Sequence, residues 1–350
     1  MKIRCLVPLL LFMLLAAAAH GAGEGAPRVL LLATGGTIAG TSSATSPVAY
    51  EAGRLPVEDL VRAVPELAGL ARISPEQVAR VGSQDMSDGI WLALARRIER
   101  AFREDQADAV VITHGTDTLE ETAFFLEQVL SSDRPVVLVG AMRPATARSA
   151  DGPANLYSAV QVAVHPEARG RGVLVVMNGD ILESRDVTKT HTTALQAFEA
   201  RDLGPVGTVE PAAVRFLHPV SPYPRPRFAA AAPLPRVDIV YGHSNMTAEP
   251  ILEALAGGAQ GLVLAGVGDG NTSEAALAAL AAAASKGIPV VRSTRVGAGF
   301  TNRNAEVDDD ALGLVASLDL NPQKARILLQ LLLHSGVRDP RRIQQAFELR

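Results

Sequence analysis

Cysteine is all but missing: Cys5 is the only one in 350 residues. That excludes a disulfide framework and a zinc ribbon. Basic charge is not in excess either, because 33 Lys and Arg face 37 Asp and Glu for a net charge of −4. No basic run extends beyond pairs such as Arg96-Arg97, so the electrostatic footprint of a nucleic-acid binder is absent. The Gly-Lys-Ser/Thr ending of a phosphate loop and the Gly-x-Ser-x-Gly elbow of a serine hydrolase do not occur. Repeats at solenoid periods are lacking too. What remains is 48% hydrophobic and 20% charged, an ordinary globular composition that excludes a disordered or collagen-like chain. A length of 350 residues exceeds one typical core and predicts two domains.

Lys2 and Arg4 precede an uncharged apolar run, Leu6–Ala19. At 14 residues the run is short for a bilayer span but suits the core of a secretory leader. Ala19-His20-Gly21 places cleavage after Gly21, with Ala19 as the near alternative. The expectation is a signal peptide over 1–21 and a soluble product, periplasmic or secreted, with no membrane attachment once the leader is gone. Cys5 precedes the apolar run instead of following it, so it does not read as a lipid anchor.

Short apolar runs bounded by glycine or polar turns follow: Val29–Ala33, Ala109–Thr113, Val136–Val139, Val173–Met177, Val237–Tyr241, Gly261–Ala265 and Val290–Val291. Such runs predict buried strands of parallel sheets. Helical spacing lies between them at Trp91–Phe102, Glu120–Leu130 and Ala275–Ala284. Thr118-Leu119-Glu120-Glu121 predicts a capping box. Asn321-Pro322 and Asp339-Pro340 predict two more helix starts, the first helix ending at Gly336. Strands alternating with helices mean an α/β protein. From Leu217 the pattern lapses into proline-rich sequence, which reads as a linker. The predicted organisation is a larger amino-terminal parallel-sheet domain with flanking helices at 28–216, a linker at 217–236 and a smaller carboxy-terminal α/β domain at 237–350.

In open parallel sheets, ligands sit beyond the carboxyl ends of strands. Three polar clusters occupy such positions. Thr34-Gly35-Gly36-Thr37-Ile38-Ala39-Gly40 has glycines that permit a tight turn, leaving the Thr37 hydroxyl to face a ligand or to cap the turn. Thr41 to Ser46, small and polar, suits a lid ending near Tyr50. His114-Gly115-Thr116-Asp117-Thr118 packs hydroxyls and a carboxylate together, for substrate binding, for orienting a base or for helix capping. His114, Asp117 and Glu121 match no metal spacing, so no metal and no cofactor is expected. Gly266-Val267-Gly268-Asp269-Gly270-Asn271 approaches a dinucleotide fingerprint, but Asn271 stands where the last glycine belongs. Lys189 reads as a surface lysine unless burial or a nearby cation makes it a base.

Taken together the clusters resemble the bacterial L-asparaginases of the exported type II branch. The resemblance runs from Arg28 to Phe347. It rests on Ala33–Gly40, Gly82-Ser83-Gln84-Asp85-Met86, Thr113–Thr118, Gly140-Ala141-Met142-Arg143-Pro144, Asp151-Gly152-Pro153, Asp186-Val187-Thr188-Lys189-Thr190 and Ala305-Glu306-Val307-Asp308-Asp309. In order and at consistent spacing, these motifs are specific together. The resemblance implies Thr37 as nucleophile with Tyr50 beside it, and Thr116 as a second catalytic threonine bonded to Lys189 and completed by Asp117. It implies Ser83, Gln84 and Asp117 at the substrate's α-carboxylate and α-amino ends. Glu306 and the loop of Asp269 would enter the site from a neighbouring subunit of a homotetramer built from two intimate dimers. Two departures stand out: Asp269 replaces the asparagine common in relatives, and the disulfide frequent in the exported branch is missing.

The implied chemistry is hydrolysis of L-asparagine to L-aspartate and ammonia through an ester on Thr37. A threonine hydroxyl needs a base, and the developing oxyanion needs donors such as turn N–H groups. The base for Thr37 stays open, and either the Thr116–Lys189 pair or Tyr50 protonates the leaving ammonia. Gln84, in place of the glutamate of dual-specificity enzymes, leans toward asparagine over glutamine. The alternatives are a glutaminase-asparaginase, a tRNA-linked amidotransferase subunit opposed by the leader and charge, and a non-catalytic amino-acid binding protein. Binding alone does not need the set Thr37, Tyr50, Thr116, Asp117 and Lys189.

Overall fold

A computed structural model describes residues 25–42, 50–220 and 228–349. Residues 1–24, which hold Cys5 and the expected leader, residues 43–49, which include part of the expected lid stretch Thr41 to Ser46, and residues 221–227 of the expected linker lie outside the described residues. The amino-terminal half contains β1 (Arg28–Gly35), β2 (Thr41–Ser42), β3 (Tyr50–Glu51), α1 (Val57–Arg62), β4 (Arg72–Val81), α2 (Asp88–Arg103) and β5 (Ala109–Thr113). It continues with α3 (Leu119–Val129), β6 (Val136–Val139), α4 (Gly152–Ala163), β7 (Val173–Met177), β8 (Asp180–Glu183), β9 (Val187–Lys189), β10 (Phe198–Ala200), β11 (Gly207–Glu210) and β12 (Ala213–Phe216). The carboxy-terminal half contains β13 (Val237–Tyr241), α5 (Glu249–Ala256), β14 (Gly261–Gly266), α6 (Glu274–Ser285) and β15 (Val290–Thr294). It ends with α7 (Asp309–Leu312), β16 (Val315–Ala316), α8 (Pro322–His334) and α9 (Pro340–Glu348).

The fold is two-domain α/β, as the alternation of runs predicts. The larger sheet has eight strands in the order β12-β11-β8-β7-β6-β5-β1-β4. Strands β4, β1, β5, β6 and β7 are parallel, with Leu31 opposite Val111 and Pro75. Strands β8, β11 and β12 extend the sheet antiparallel. The smaller sheet, β13-β14-β15-β16, is wholly parallel.

Continuous apolar runs follow from burial on both faces. In β1, Leu30 and Leu32 pack toward α2 and α3, whereas Val29, Leu31 and Ala33 pack toward α1 and α4. In the smaller sheet, Leu262, Leu264 and Val290 meet α5 and α6, and Val263 and Val291 meet α8. Helix α8 therefore lies between the halves, in one hydrophobic core shared with Phe124 and Phe125 of α3. Each fully buried Leu or Phe contributes roughly 1.5–3 kcal/mol relative to exposure, so this seam is a major part of the fold's stability.

Helix ends follow local chemistry. Asn321, Asp339, Ser273 and Ser87 each accept a backbone N–H in the first turn of α8, α9, α6 and α2. The capping box at Thr118 does not form. The Thr118 hydroxyl donates to the Ser83 carbonyl at 2.7 Å and gives α3 no side-chain cap. Strand β4 was not legible as an apolar run, because it is a half-exposed edge strand containing Pro75.

Candidate active site

The chain leaves β1 for β4 at the sheet edge, then returns past β1 to β5. A crevice at the carboxyl ends of these strands is where such a sheet binds ligands. Two glycines draw the strand ends together. Gly36 has φ of +80°, and a Cβ there would lie 2.3 Å from Gly115 Cα and N. A Cβ on Gly115 would lie 2.7 Å from Ser83 Oγ. Only bare backbone permits this approach, and it brings together the turns that carry Thr37, Ser83 and Thr116.

Thr37 is buried in a short 3-10 turn whose carbonyl accepts Gly40 N–H at 2.8 Å. Ser83 is buried, and its Oγ accepts Asp117 N–H at 3.1 Å. Lys189 on β9 extends its ammonium between two partners, donating to Thr116 Oγ1 at 2.8 Å and to Asp117 Oδ1 at 2.6 Å. The Lys189 side chain is 15% exposed and that of Asp117 60%, so the cation is the buried partner of this ion pair and the carboxylate the exposed one. A proton can pass between Thr116 Oγ1 and Lys189 Nζ at that distance. Gln84 is exposed and folds back over Gly82, where a Cβ would lie 2.5 Å from its amide. Backbone pairing joins Tyr50 to Ser42 across β2 and β3; the Tyr50 side chain lies outside the described residues. Two other motifs of the resemblance are joined structurally: Asp151 accepts Met142 N–H and Arg143 N–H, each at 2.9 Å.

His114 supports the crevice from beneath. Its Nδ1 donates to the Gly115 carbonyl at 2.7 Å, which leaves Nε2 to accept the Thr122 hydroxyl at 2.8 Å. Thr122 in turn accepts Trp91 Nε1–H at 2.7 Å. Both ring nitrogens are thus engaged, and burial lowers the His114 pKa to about 4. The unfolded chain takes up this proton near pH 6.5 and the folded protein only near pH 4. Stability is therefore expected to fall by up to about 3 kcal/mol as pH drops through that window. Denaturant titrations at stepped pH should show this slope flattened in His114→Gln, and an unchanged slope would refute the assignment.

Among the described residues, no hydrogen bond joins Asp269 or Glu306 to this group. Asp269 accepts Asn302 N–H at 2.7 Å and Asn302 Nδ2–H at 2.9 Å, and Glu306 accepts Asn271 Nδ2–H. Both carboxylates lie on loops of the smaller domain. Asn271 was missed because its glycine-rich cluster drew attention to the glycines instead of the amide. A second missed residue, Arg292, organises these loops from within. Its guanidinium makes a bidentate pair with Asp309 at 2.6 and 2.8 Å and donates to the carbonyls of Asp269, Gly270 and Asn302.

A cleft of about 360 Å³ opens along β9 between the domains, lined by Thr188, Lys189, Tyr241, Arg295, Asn321 and Gln323 among others. It touches the crevice only through Lys189, since Thr37, Ser83 and Thr116 do not line it. Among the described residues no group of three or more His, Cys, Asp or Glu is placed to hold a metal. No helix among them is long and apolar enough to cross a membrane.

Fold and site define a two-domain α/β enzyme with a hydroxyl–lysine–carboxylate centre at its strand ends. The family model described as "Asparaginase, N-terminal" matches residues 28–221, and "Glutaminase/Asparaginase C-terminal domain" matches residues 236–347. The chain belongs to the asparaginase family. It is 49% identical to the "Probable L-asparaginase periplasmic" of Haemophilus influenzae, over 92% of this chain and 93% of that relative. To "L-asparaginase 2" of Escherichia coli it is 46% identical, over 93% and 94%. To "Glutaminase-asparaginase" of Pseudomonas fluorescens biotype A it is 41% identical, over 91% and 90%.

Proposed function

We propose that this protein hydrolyses the side-chain amide of L-asparagine to L-aspartate and ammonia. The reading is carried by the Lys189 ammonium held at 2.8 and 2.6 Å from Thr116 and Asp117, close to a buried threonine turn, in a chain of the asparaginase family. A base takes the Thr37 hydroxyl proton as Oγ1 attacks the amide carbon, and backbone N–H groups of the glycine-lined turns hold the oxyanion. The Thr116–Lys189 pair, or Tyr50, protonates the departing nitrogen. The resulting β-aspartyl ester on Thr37 is then opened by water. Ser83, Gln84 and Asp117 hold the α-carboxylate and α-amino groups. Glu306 and the Asp269 loop complete the site of a neighbouring subunit in a tetramer of intimate dimers. The leader at 1–21 directs the enzyme to the periplasm or out of the cell, in keeping with the periplasmic name of the Haemophilus relative.

A second reading, dual activity on glutamine, is favoured by the relatives named glutaminase-asparaginase. The substrates differ by one methylene, which a pocket discriminates by roughly 10- to 200-fold. The test is ammonia release from each amino acid over a concentration series. Preference for asparagine within that range is expected. Comparable rates would establish dual specificity, and release from neither by a folded protein would leave a binding protein.

A further inference from the structure

Behind β9 lies a buried charge that the reaction itself does not use. Lys324, on the first turn of α8, is 1% exposed, and burial draws its ammonium down to about 8. Its Nζ donates to the carbonyls of Arg185 at 2.7 Å and Val187 at 2.5 Å and lies 3.9 Å from Glu120 Oε2. Glu120 belongs to the first turn of α3, close after Thr116 and Asp117. Its two carboxylate oxygens also accept Asn321 Nδ2–H at 3.2 Å and Gln323 Nε2–H at 3.0 Å. Asn321 Nδ2 reaches Thr188 Oγ1 as well, at 3.2 Å.

Two arms therefore meet in the site, and the same helix turn grips each from behind. One arm is the Thr116–Asp117 turn, continued into Glu120. The other is β9 with the turn that leads into it, held at the Arg185 carbonyl of the turn, at the Val187 carbonyl and at the Thr188 hydroxyl, one residue before Lys189. A methionine would fill the place of Lys324 without the cost of burying a cation, and replacing buried ions by apolar groups is commonly neutral or stabilising. An ammonium here makes what methionine cannot: directed bonds to the Val187 carbonyl of the strand that carries Lys189 and to the Arg185 carbonyl of the turn leading into it.

We propose that Lys324, with Asn321 and Glu120, is a positioning residue that fixes Lys189 against Thr116 and Asp117 by clamping β9 to the start of α3. The inference rests on the role assigned to Lys189 above. It makes the smaller domain a structural part of its own chain's site, through α8, apart from anything a neighbouring subunit supplies.

The test is a pair of mutant cycles on the full-length mature enzyme. Lys324→Met and Thr188→Val are each made in the parent and in a Lys189→Met background, and kcat, KM and the melting temperature are measured with asparagine. Lys324→Met is expected to lower kcat roughly 10- to 100-fold, as misplacement of a reacting group does, with KM little changed. Thr188→Val, nearly isosteric, is expected to lose about 3- to 10-fold, the size of one hydrogen bond. In the Lys189→Met background neither change is expected to cost more. Equal losses in both backgrounds, or a parent kcat that does not move, would overturn the proposal. Should Lys324→Met not fold, the Thr188→Val cycle decides by the same criterion. If Lys189→Met by itself keeps normal turnover, the role of Lys189 falls and the clamp falls with it, a result distinct from additivity.

Discussion

Thr37→Ala is expected to lower asparagine turnover by about 10³-fold or more, with the melting temperature shifted by only a few degrees. Thr37 lies in a buried turn just after β1, so loss of one hydroxyl and one methyl leaves the strand pairings in place. What disappears is the only group proposed to bond the substrate carbon. Thr37→Ser separates the contributions: it keeps the nucleophilic oxygen and loses the methyl, and it should retain far more activity than alanine. Near-normal ammonia release by Thr37→Ala would remove the nucleophile assignment and leave the Thr116–Lys189 pair to carry the first step.

Asp309→Ala is expected to destabilise the fold by about 3–5 kcal/mol, the usual cost of leaving one member of a buried ion pair uncompensated. Arg292 and Asp309 are 1% and 0% exposed, so water does not reach the stranded guanidinium. Asp309 also accepts Asn304 N–H at 3.0 Å. Its loss thus loosens the loops that carry Asp269 and Glu306 as well as the domain interior. Denaturant unfolding checks the magnitude. Replacing both partners, as Arg292→Met with Asp309→Leu, should recover part of it. A single variant as stable as the parent would mean that the pair contributes nothing net.

Periodicity and punctuation revealed the framework because burial on both faces makes central parallel strands read as unbroken apolar runs. Edge strand β4 has no such constraint, and β8 to β12 are too short to show a period. Thr118 looked like a cap because capping is a local rule, whereas its hydroxyl is taken by Ser83, which lies far away in sequence. Candidate site residues near strand ends stood out by their motifs. Their supports were not. Arg292 follows a run that appeared to stop at Val291, and its two carboxylate and three carbonyl bonds come from loops that only the fold assembles. Lys324 sits in a helix start where a lysine ordinarily faces solvent. Its burial depends on α3 and β9 arriving from opposite sides, which no local pattern records.

The position of α8 gives the enzyme a timetable. Chains are made amino end first, and domains tend to fold as they emerge. Here the turns that bear Thr37 and Thr116 and the strand that bears Lys189 are synthesised long before residues 322–334 exist. Until those residues appear, the outer face of α3 has no cover and β9 has no clamp. Assembly of this region therefore waits on a segment synthesised after all three of those residues, and a chain cut short before it would carry the proposed groups of the site without the clamp proposed to align them.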